Sequence, residues 1–310
     1  MSNTTAAATS VSRDSGAPRI SVIVPTYNEA ANLPHVFAAM PEVHEVVVVD
    51  GRSTDGTVEV ARALRPDVTI VLQNRRGKGN AMACGFAAAT GDVLVMLDAD
   101  GSADPREIPA FVAALTAGAD FAKGTRFAAG GGSNDITALR RAGNAGLNLA
   151  ANLLFGTRYT DLCYGYNAFW ADCLPVLDLD PSGARVDEKN WGDGFEIETI
   201  INTRIAKAGL VITEVPSFEF ERIHGESNLN TFRDGFRVLA ALLVERVRRT
   251  RRAPLVPRQA TAADRVVDLT DAATAARAGT LTAGTLTAGT LSADTLTADT
   301  LTADTVTTAV

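Results

Sequence analysis

Two aspartates one residue apart, Asp98 and Asp100, follow the apolar run 93–97 (VLVML). Gly101 comes next, and Pro105 lies just beyond. A run that is apolar at every position reads as a strand buried on both faces, as in a parallel sheet. Ligands of open α/β sheets bind at the carboxyl edge of the strands, where this one delivers its acids. Two hard oxygen donors suit Mg²⁺ or Mn²⁺, and such an ion suits a diphosphate. Aspartate is also a common turn former after a strand, so the pair alone leaves both readings open.

Other chemistry-bearing residues sit at comparable places. Lys78 lies in a basic glycine loop, 74–80 (NRRGKGN), that opens a helix, a setting suited to phosphate. Glu29 and Asp50 follow the first two apolar runs, 20–24 and 46–49. Asp55 is placed either to reach a ligand beside Asp50 or, with Ser53 or Thr54, to cap the helix at 57–64. Arg126 follows the strand expected at 120–125, and Arg140 opens a helix expected at 139–155, with Asn144 one turn on. Planar guanidinium groups bind phosphate bidentately.

The elements that must position these residues alternate. Strands are expected at 20–24, 46–49, 68–72 and 93–97, with helices at 30–40, 57–64 and 81–89, the last ended by Gly91. This is a doubly wound, mostly parallel α/β half of the nucleotide-binding kind. A helix at 105–117 follows, then a glycine stretch at 129–133 that reads as a mobile loop. The aromatic segment 161–171 reads as strand and turn lining a cleft. Residues 191–202 begin with glycines and acids and become a helix; 210–215 is a strand that 218–221 extends. Residues 231–252 form an amphipathic helix with Phe232, Phe236, Leu239, Leu243 and Val247 in phase and seven arginines. That face is either solvated or laid on an anionic membrane surface.

Composition narrows the function classes. The 310 residues carry a formal net charge of −7, which argues against a nucleic-acid binder. No apolar run approaches the roughly 20 residues of a membrane span. Cys84, Cys163 and Cys173 form neither a disulfide framework nor a metal spacing, as in a reducing cytoplasm. Residues 1–18 lack an apolar core, so they read as a disordered lead rather than a secretory signal. Residues 253–310 end in five-residue repeats (TLTAG, TLTAD) too short to bury their own face, so they read as a low-complexity, disordered tail. One catalytic domain is expected over 19–252.

Taken in order, PTYNE (25–29), VVDGRSTDGT (48–57), GKGNA (77–81), LDADG (97–101), GTRF (124–127), the 140–144 segment, GFEIE (194–198), EVP (214–216) and ERIHGES (221–227) resemble family 2 glycosyltransferases of the GT-A fold. Within them the chain looks most like the dolichyl- or polyprenyl-phosphate mannose and glucose synthases. The resemblance implies inverting transfer of a hexose from a GDP-mannose or UDP-glucose type donor to a polyprenyl phosphate. It implies a donor site of Pro25, Tyr27, Glu29, Asp50, Asp55, Lys78, Asp98 and Arg222. Mg²⁺ or Mn²⁺ would be held by Asp100, Asp98 and Ser102. Arg126, Arg140, Asn144 and Ser227 would hold the acceptor. Asp98, Asp100, Arg126 and Arg140 would be the catalytic group.

A phosphate acceptor is already ionised. A hydroxyl acceptor, in glycan, glycolipid or natural-product synthesis, needs a base, for which Asp193 and Glu196 are the candidates. A helix N-terminal charge is the alternative for both. The expected location is cytoplasmic, peripheral on the inner face of the membrane. The chain departs from the synthases at Gly51, Ser102 and Asn228, and in a longer 179–191 segment. A nucleotidyltransferase would instead carry a glycine-rich basic loop after the first strand, where PTYNE stands.

Overall fold

The computed structural model of the chain describes residues 13, 16–182, 190–225 and 231–249. The repeat tail, most of the first 15 residues and Ser227 lie outside the described residues.

Four apolar runs form the parallel half of the sheet. They are β1 (Ile20–Thr26), β2 (Glu45–Asp50), β3 (Thr69–Leu72) and β4 (Val93–Met96). Helices α1 (Leu33–Ala38), α2 (Thr57–Leu64) and α3 (Lys78–Ala88) connect them. The second half adds α4 (Ile108–Thr116), β5 (Phe121–Thr125), β6 (Gly132–Ser133), α5 (Ala138–Phe155) and β7 (Asn167–Trp170). It ends with α6 (Leu174–Leu177), α7 (Ile197–Lys207), β8 (Ile212–Pro216), β9 (Phe218–Glu219) and α8 (Thr231–Val247). The seven-stranded sheet has the order β3-β2-β1-β4-β7-β5-β8. Strand β7 alone runs antiparallel to its neighbours, pairing Met96 with Asn167 on one side and Lys123 with Asn167 on the other.

Reversal of β7 has a direct effect on the site. The carboxyl ends of β1, β2, β4 and β5 share one edge, and β7 brings its amino end there. The segment before β7, Tyr164-Gly165-Tyr166, therefore lies on that edge beside the Asp98 turn.

Helix α3 is buried along most of its length, because Gly85 presses it onto the sheet. A Cβ at Gly85 would come within 2.5 Å of Ile23 and 2.8 Å of Val49. This helix starts at Lys78, three residues before the sequence expectation, so the glycine loop is its first turn. Gly91 does not end it; α3 closes on Ala89 N–H donating to Gly85 O, and Gly91 packs against Ser21 instead. Of the glycine stretch expected as a mobile loop, 129–130 is a turn and only its end, 132–133, is paired structure. β6 joins β9 in parallel, and a Cβ at Gly132 would strike the Phe218 ring at 2.6 Å.

Helices α5 and α8 pack together around Ala151, Leu162, Val238 and Leu242. Their polarity is partly inverted. Asn144, Asn148, Asp234 and Glu245 are buried, and Glu245 pairs with Arg204 on α7. Leu149, Leu153 (77% exposed), Phe236 (73% exposed), Leu239, Leu243 and Val247 face outward. No charged residue occurs from 142 to 155. On α8 the arginines cluster at the ends, Arg233 and Arg237 at one and Arg246, Arg248 and Arg249 at the other.

Candidate active site

A cleft of about 1190 Å³ opens along the carboxyl edge of the sheet. Pro25, Tyr27 and Glu29 line its β1 side; Lys78, Asp98, Asp100 and Ser102 its floor; Arg126, Arg140, Asn144 and Arg222 its far walls. These expected residues are thus brought together from distant parts of the chain.

The floor is an ion cluster, largely buried at Lys78 and Glu198 and open to the cleft at Asp98. Lys78 Nζ lies 2.7 Å from Asp98 Oδ1 and 2.7 Å from Glu198 Oε1. Burial by itself would lower the Lys78 pKa, but Asp98 and Glu198 outweigh it and hold it above the ordinary lysine value. Burial raises the Glu198 carboxyl above its ordinary value, Lys78 opposing and Asp98 adding. Gly165 makes room for this cluster, since a Cβ there would sit 3.0 Å from Lys78 Nζ and 3.2 Å from Glu198 Oε1. The glycines around Lys78 have a comparable reason. Gly77 and Gly79 lie against the backbone of 192–193, where a Cβ would approach Asp193 O and Gly192 O to 1.9 and 1.7 Å. A solvated lysine is therefore excluded at position 78.

The acidic turn is braced from above by the segment 219–224. Phe220 N–H donates to Ser102 O at 2.8 Å and Ile223 N–H to Asp100 O at 3.2 Å. Gly101 has φ +76 and packs under the Ile223 side chain, which a Cβ would meet at 2.5 Å. Arg222 places Nη2 2.9 Å from Asp100 Oδ2 and Nη1 3.1 Å from Glu29 Oε1. Ser102 donates both N–H (3.0 Å) and Oγ–H (2.8 Å) to Asp100 Oδ1. His224 N–H donates to Asn32 Oδ1 at 3.0 Å, fastening the segment to the start of α1. Burial raises the Glu29 carboxyl above its ordinary value; Asn32 and Arg222 oppose, and Asp100 adds to it.

On the opposite side Arg126 is held by two acids. Its Nε lies 2.7 Å from Asp161 Oδ2, and its Nη1 2.9 Å from Glu219 Oε2. Its guanidinium stands 4.9 Å from the Tyr164 ring centre. Burial opposes the charge, but Asp161 and Glu219 prevail and raise its pKa. Arg140 is more open, with Nη1 3.2 Å from Asp135 Oδ2. Asn144 donates one amide hydrogen to Asp161 Oδ1 at 3.0 Å. Its own Oδ1 is buried without a protein partner.

Four expected residues do not reach the cleft. Asp50 is 1% exposed and accepts Ser53 N–H at 2.9 Å, so it fixes the turn after β2 while Gly51 and Arg52 line the cleft above it. Asp55 caps α2, its Oδ1 accepting Thr57 N–H at 3.1 Å, and its Oδ2 takes Ala30 N–H at 3.0 Å. Asp193 is buried against Arg75, 2.9 Å from both Nε and Nη2. Glu196 is buried as well, its Oε1 taking Gly194 N–H at 3.3 Å. Neither of the two base candidates lines the cleft. Asp161, Glu198 and Glu219 were not singled out as site residues from the sequence. Glu198 stands in the quoted GFEIE motif, and Asp161 opens the aromatic segment, but each lies far along the sequence from the cation it pairs with, so spacing carries no signal.

Residues 21–173 match the family model described as glycosyl transferase family 2. The undecaprenyl-phosphate mannosyltransferase of Micrococcus luteus is 34% identical over 223 residues, covering 68% of this chain and 88% of that protein. The chain belongs to glycosyltransferase family 2. The polyprenol monophosphomannose synthase of Mycolicibacterium smegmatis is 36% identical over 224 residues, covering 68% of this chain and 81% of its own. Among solved structures, glucosyl-3-phosphoglycerate synthase from Mycobacterium tuberculosis, in complex with Mn²⁺, UDP and phosphoglyceric acid, superposes with a TM-score of 0.57. It is 23% identical, with 74% of this chain and 79% of that one covered, a likeness of fold. The expected GT-A arrangement is borne out, and this family 2 chain is a glycosyltransferase.

Proposed function

We propose that this enzyme transfers a hexose, with inversion, from a nucleotide diphosphate sugar to a polyprenyl phosphate. One observation supports the acceptor above all. Arg126, Arg140 and Asn144 line the cleft, while Asp193 and Glu196, the two base candidates for a hydroxyl acceptor, lie outside it; the carboxylates on the acceptor side, Glu219 and Asp135, are paired with Arg126 and Arg140. An ionised phosphate needs cations and no base. The names of the two bacterial relatives, both mannosyl enzymes of prenol phosphates, point the same way.

The donor's nucleoside end fits beside Pro25 and the exposed Tyr27 ring. Its diphosphate fits over the acidic turn, beside Lys78 at the start of α3, where helix N–H groups favour anions. Asp98, Asp100 and the Ser102 hydroxyl form a set of hard oxygen donors suited to Mg²⁺ or Mn²⁺. Among the described residues no three His, Cys, Asp or Glu side chains converge as a metal site. The two aspartates thus fit the ion only with Ser102 or phosphate oxygens completing its shell. When bound, such an ion neutralises the departing diphosphate. Arg222, already poised over Asp100, adds cationic charge at the same place. Lys78 holds Asp98 and Glu198 at fixed positions beside Gly165, leaving room for the sugar. Arg140 and the second amide hydrogen of Asn144 hold the acceptor phosphate, and Arg126 keeps its wall in shape through Asp161.

Among the described residues no helix is long and apolar enough to cross a membrane. The outward apolar faces of α5 and α8, with arginines at their ends, support a peripheral seat on an anionic membrane surface. Arg140 and Val238 belong to these helices and line the cleft, so the acceptor phosphate would enter from that side.

Purified full-length protein with Mn²⁺, a panel of GDP- and UDP-sugars, and a short polyprenyl phosphate or the matching prenol tests this. Product is expected with the phosphate alone, with the anomeric configuration inverted. Transfer to the prenol, or no lipid-linked product with any donor, refutes the acceptor.

A further inference from the structure

The carboxylate at the centre of the acidic turn already has a cation. Arg222 Nη2 is 2.9 Å from Asp100 Oδ2, and the other oxygen of Asp100 takes both Ser102 donors. Both oxygens of Asp98 face Lys78 Nζ, at 2.7 and 2.9 Å. The placement of Arg222 is built into the fold. The segment 219–224 is bonded to the backbone of the turn itself, through Ser102 O and Asp100 O, and to Asn32 at its far end. Ile223 fills the space over Gly101, where φ +76 favours glycine and a Cβ would meet the Ile223 side chain at 2.5 Å. Glu29 gives the guanidinium a second anchor at 3.1 Å.

A divalent ion approaching Asp100 alone must therefore displace Arg222 or share one carboxylate with it against like-charge repulsion. A nucleoside diphosphate changes this balance. It supplies a new anionic partner for Arg222 and further oxygen ligands for the ion. We propose that Arg222 is a tethered competitor for the metal, which makes divalent-ion binding conditional on the nucleoside diphosphate. This inference rests on the metal and donor reading above. Linkage makes the effect reciprocal: the ion must tighten the nucleotide by the same factor by which the nucleotide tightens the ion. Lys78, by contrast, is anchored by Glu198 at 2.7 Å as well as by Asp98, which keeps its ammonium in the floor.

Mn²⁺ binding to the full-length protein, followed by electron paramagnetic resonance of the free ion, tests it without any turnover. Titrations are made alone and with saturating GDP or UDP. The wild type is expected to bind Mn²⁺ at least about tenfold more tightly with the favoured nucleotide, a coupling of about 1.4 kcal/mol or more. Arg222→Gln is expected to bind Mn²⁺ about tenfold more tightly than wild type in the absence of nucleotide, with the coupling reduced by the same factor and only the part due to the nucleotide's own oxygen ligands remaining. Arg222→Lys keeps the charge at the same tether and is expected to stay close to wild type. Unchanged or weaker nucleotide-free binding in Arg222→Gln overturns the inference while leaving the metal reading intact, provided wild type binds Mn²⁺ with nucleotide. Absence of Mn²⁺ binding in wild type with either nucleotide overturns both.

Discussion

Lys78 binds two carboxylates from two different elements, so each carboxylate has a separate effect when lost. Glu198→Gln leaves Lys78 with Asp98 alone and frees its ammonium to drift towards that side. Donor binding is expected to weaken by about tenfold, near 1.4 kcal/mol, as read by nucleotide calorimetry; unchanged affinity would remove Glu198 from the site. Arg140→Ala is expected to raise KM for the lipid acceptor by tenfold or more, since a charged hydrogen bond carries about 1.5–3 kcal/mol, with donor affinity unchanged. Equal loss of both would contradict its role. Asp193→Asn strips the buried Arg75 of its partner, and breaking such a pair costs about 3–5 kcal/mol. A fall in denaturant midpoint with KM preserved is expected, and loss of turnover in a fully folded variant would restore Asp193 as a base. The sequence made Asp98, Asp100, Lys78 and Arg140 legible because each ends a strand or opens a helix. Asp50 and Asp55 occupy equivalent places but spend their oxygens on Ser53 and Thr57 N–H groups, so Asp50 is closed to a ligand and Asp55 takes the capping alternative. Sequence position says that a side chain is near the edge, not whether the backbone has already claimed it.

Strands and helices carry a second kind of information. The apolar runs of β1, β2 and β4 announced themselves, whereas the direction of β7 did not, because an apolar run has no polarity of its own. Its reversal follows from pairing on both sides, with β4 and with β5. At this scale Lys123 of β5 is the outlier. It is wholly buried and donates to Gly124 O at 2.8 Å and Tyr164 O at 2.7 Å, tying β5 to the segment before β7. Burial lowers its pKa from 10.5 to about 8, Asp161 and Glu214 opposing. Below pH 8 the folded and unfolded chains both hold the proton. Between pH 8 and 10.5 only the unfolded chain does, so this lysine's contribution to stability increases as pH rises through that window. The slope is at most about 1.4 kcal/mol per pH unit. Comparing unfolding free energies of wild type and Lys123→Met from pH 7 to 10 isolates it. A difference that does not change with pH would show that Lys123 keeps an ordinary pKa.

For the molecule as a whole, the membrane seat proposed for the face formed by α5 and α8 can be tested directly. Placing Asp at both Leu153 and Phe236 removes two outward side chains, each worth about 1.5–3 kcal/mol of burial. Cosedimentation with anionic vesicles is expected to fall by more than tenfold, while transfer to a detergent-dispersed short acceptor persists. Wild-type binding is expected to be weaker on neutral vesicles and to decline with salt, since screening weakens the arginine attraction. Binding that ignores both lipid charge and the two substitutions would refute the seat. The reversed strand has a further meaning at this scale. In an all-parallel sheet, the connection leading into a strand lies on the edge away from the ligand. Turning β7 around brings the end of the incoming connection, residues 163–166, to the cleft, with Gly165 at the Lys78 cluster. The stretch just before β7 thereby becomes a wall whose bulk is felt at the ion cluster: a side chain at Gly165 would press on Lys78 and Glu198 and narrow the room left for the sugar.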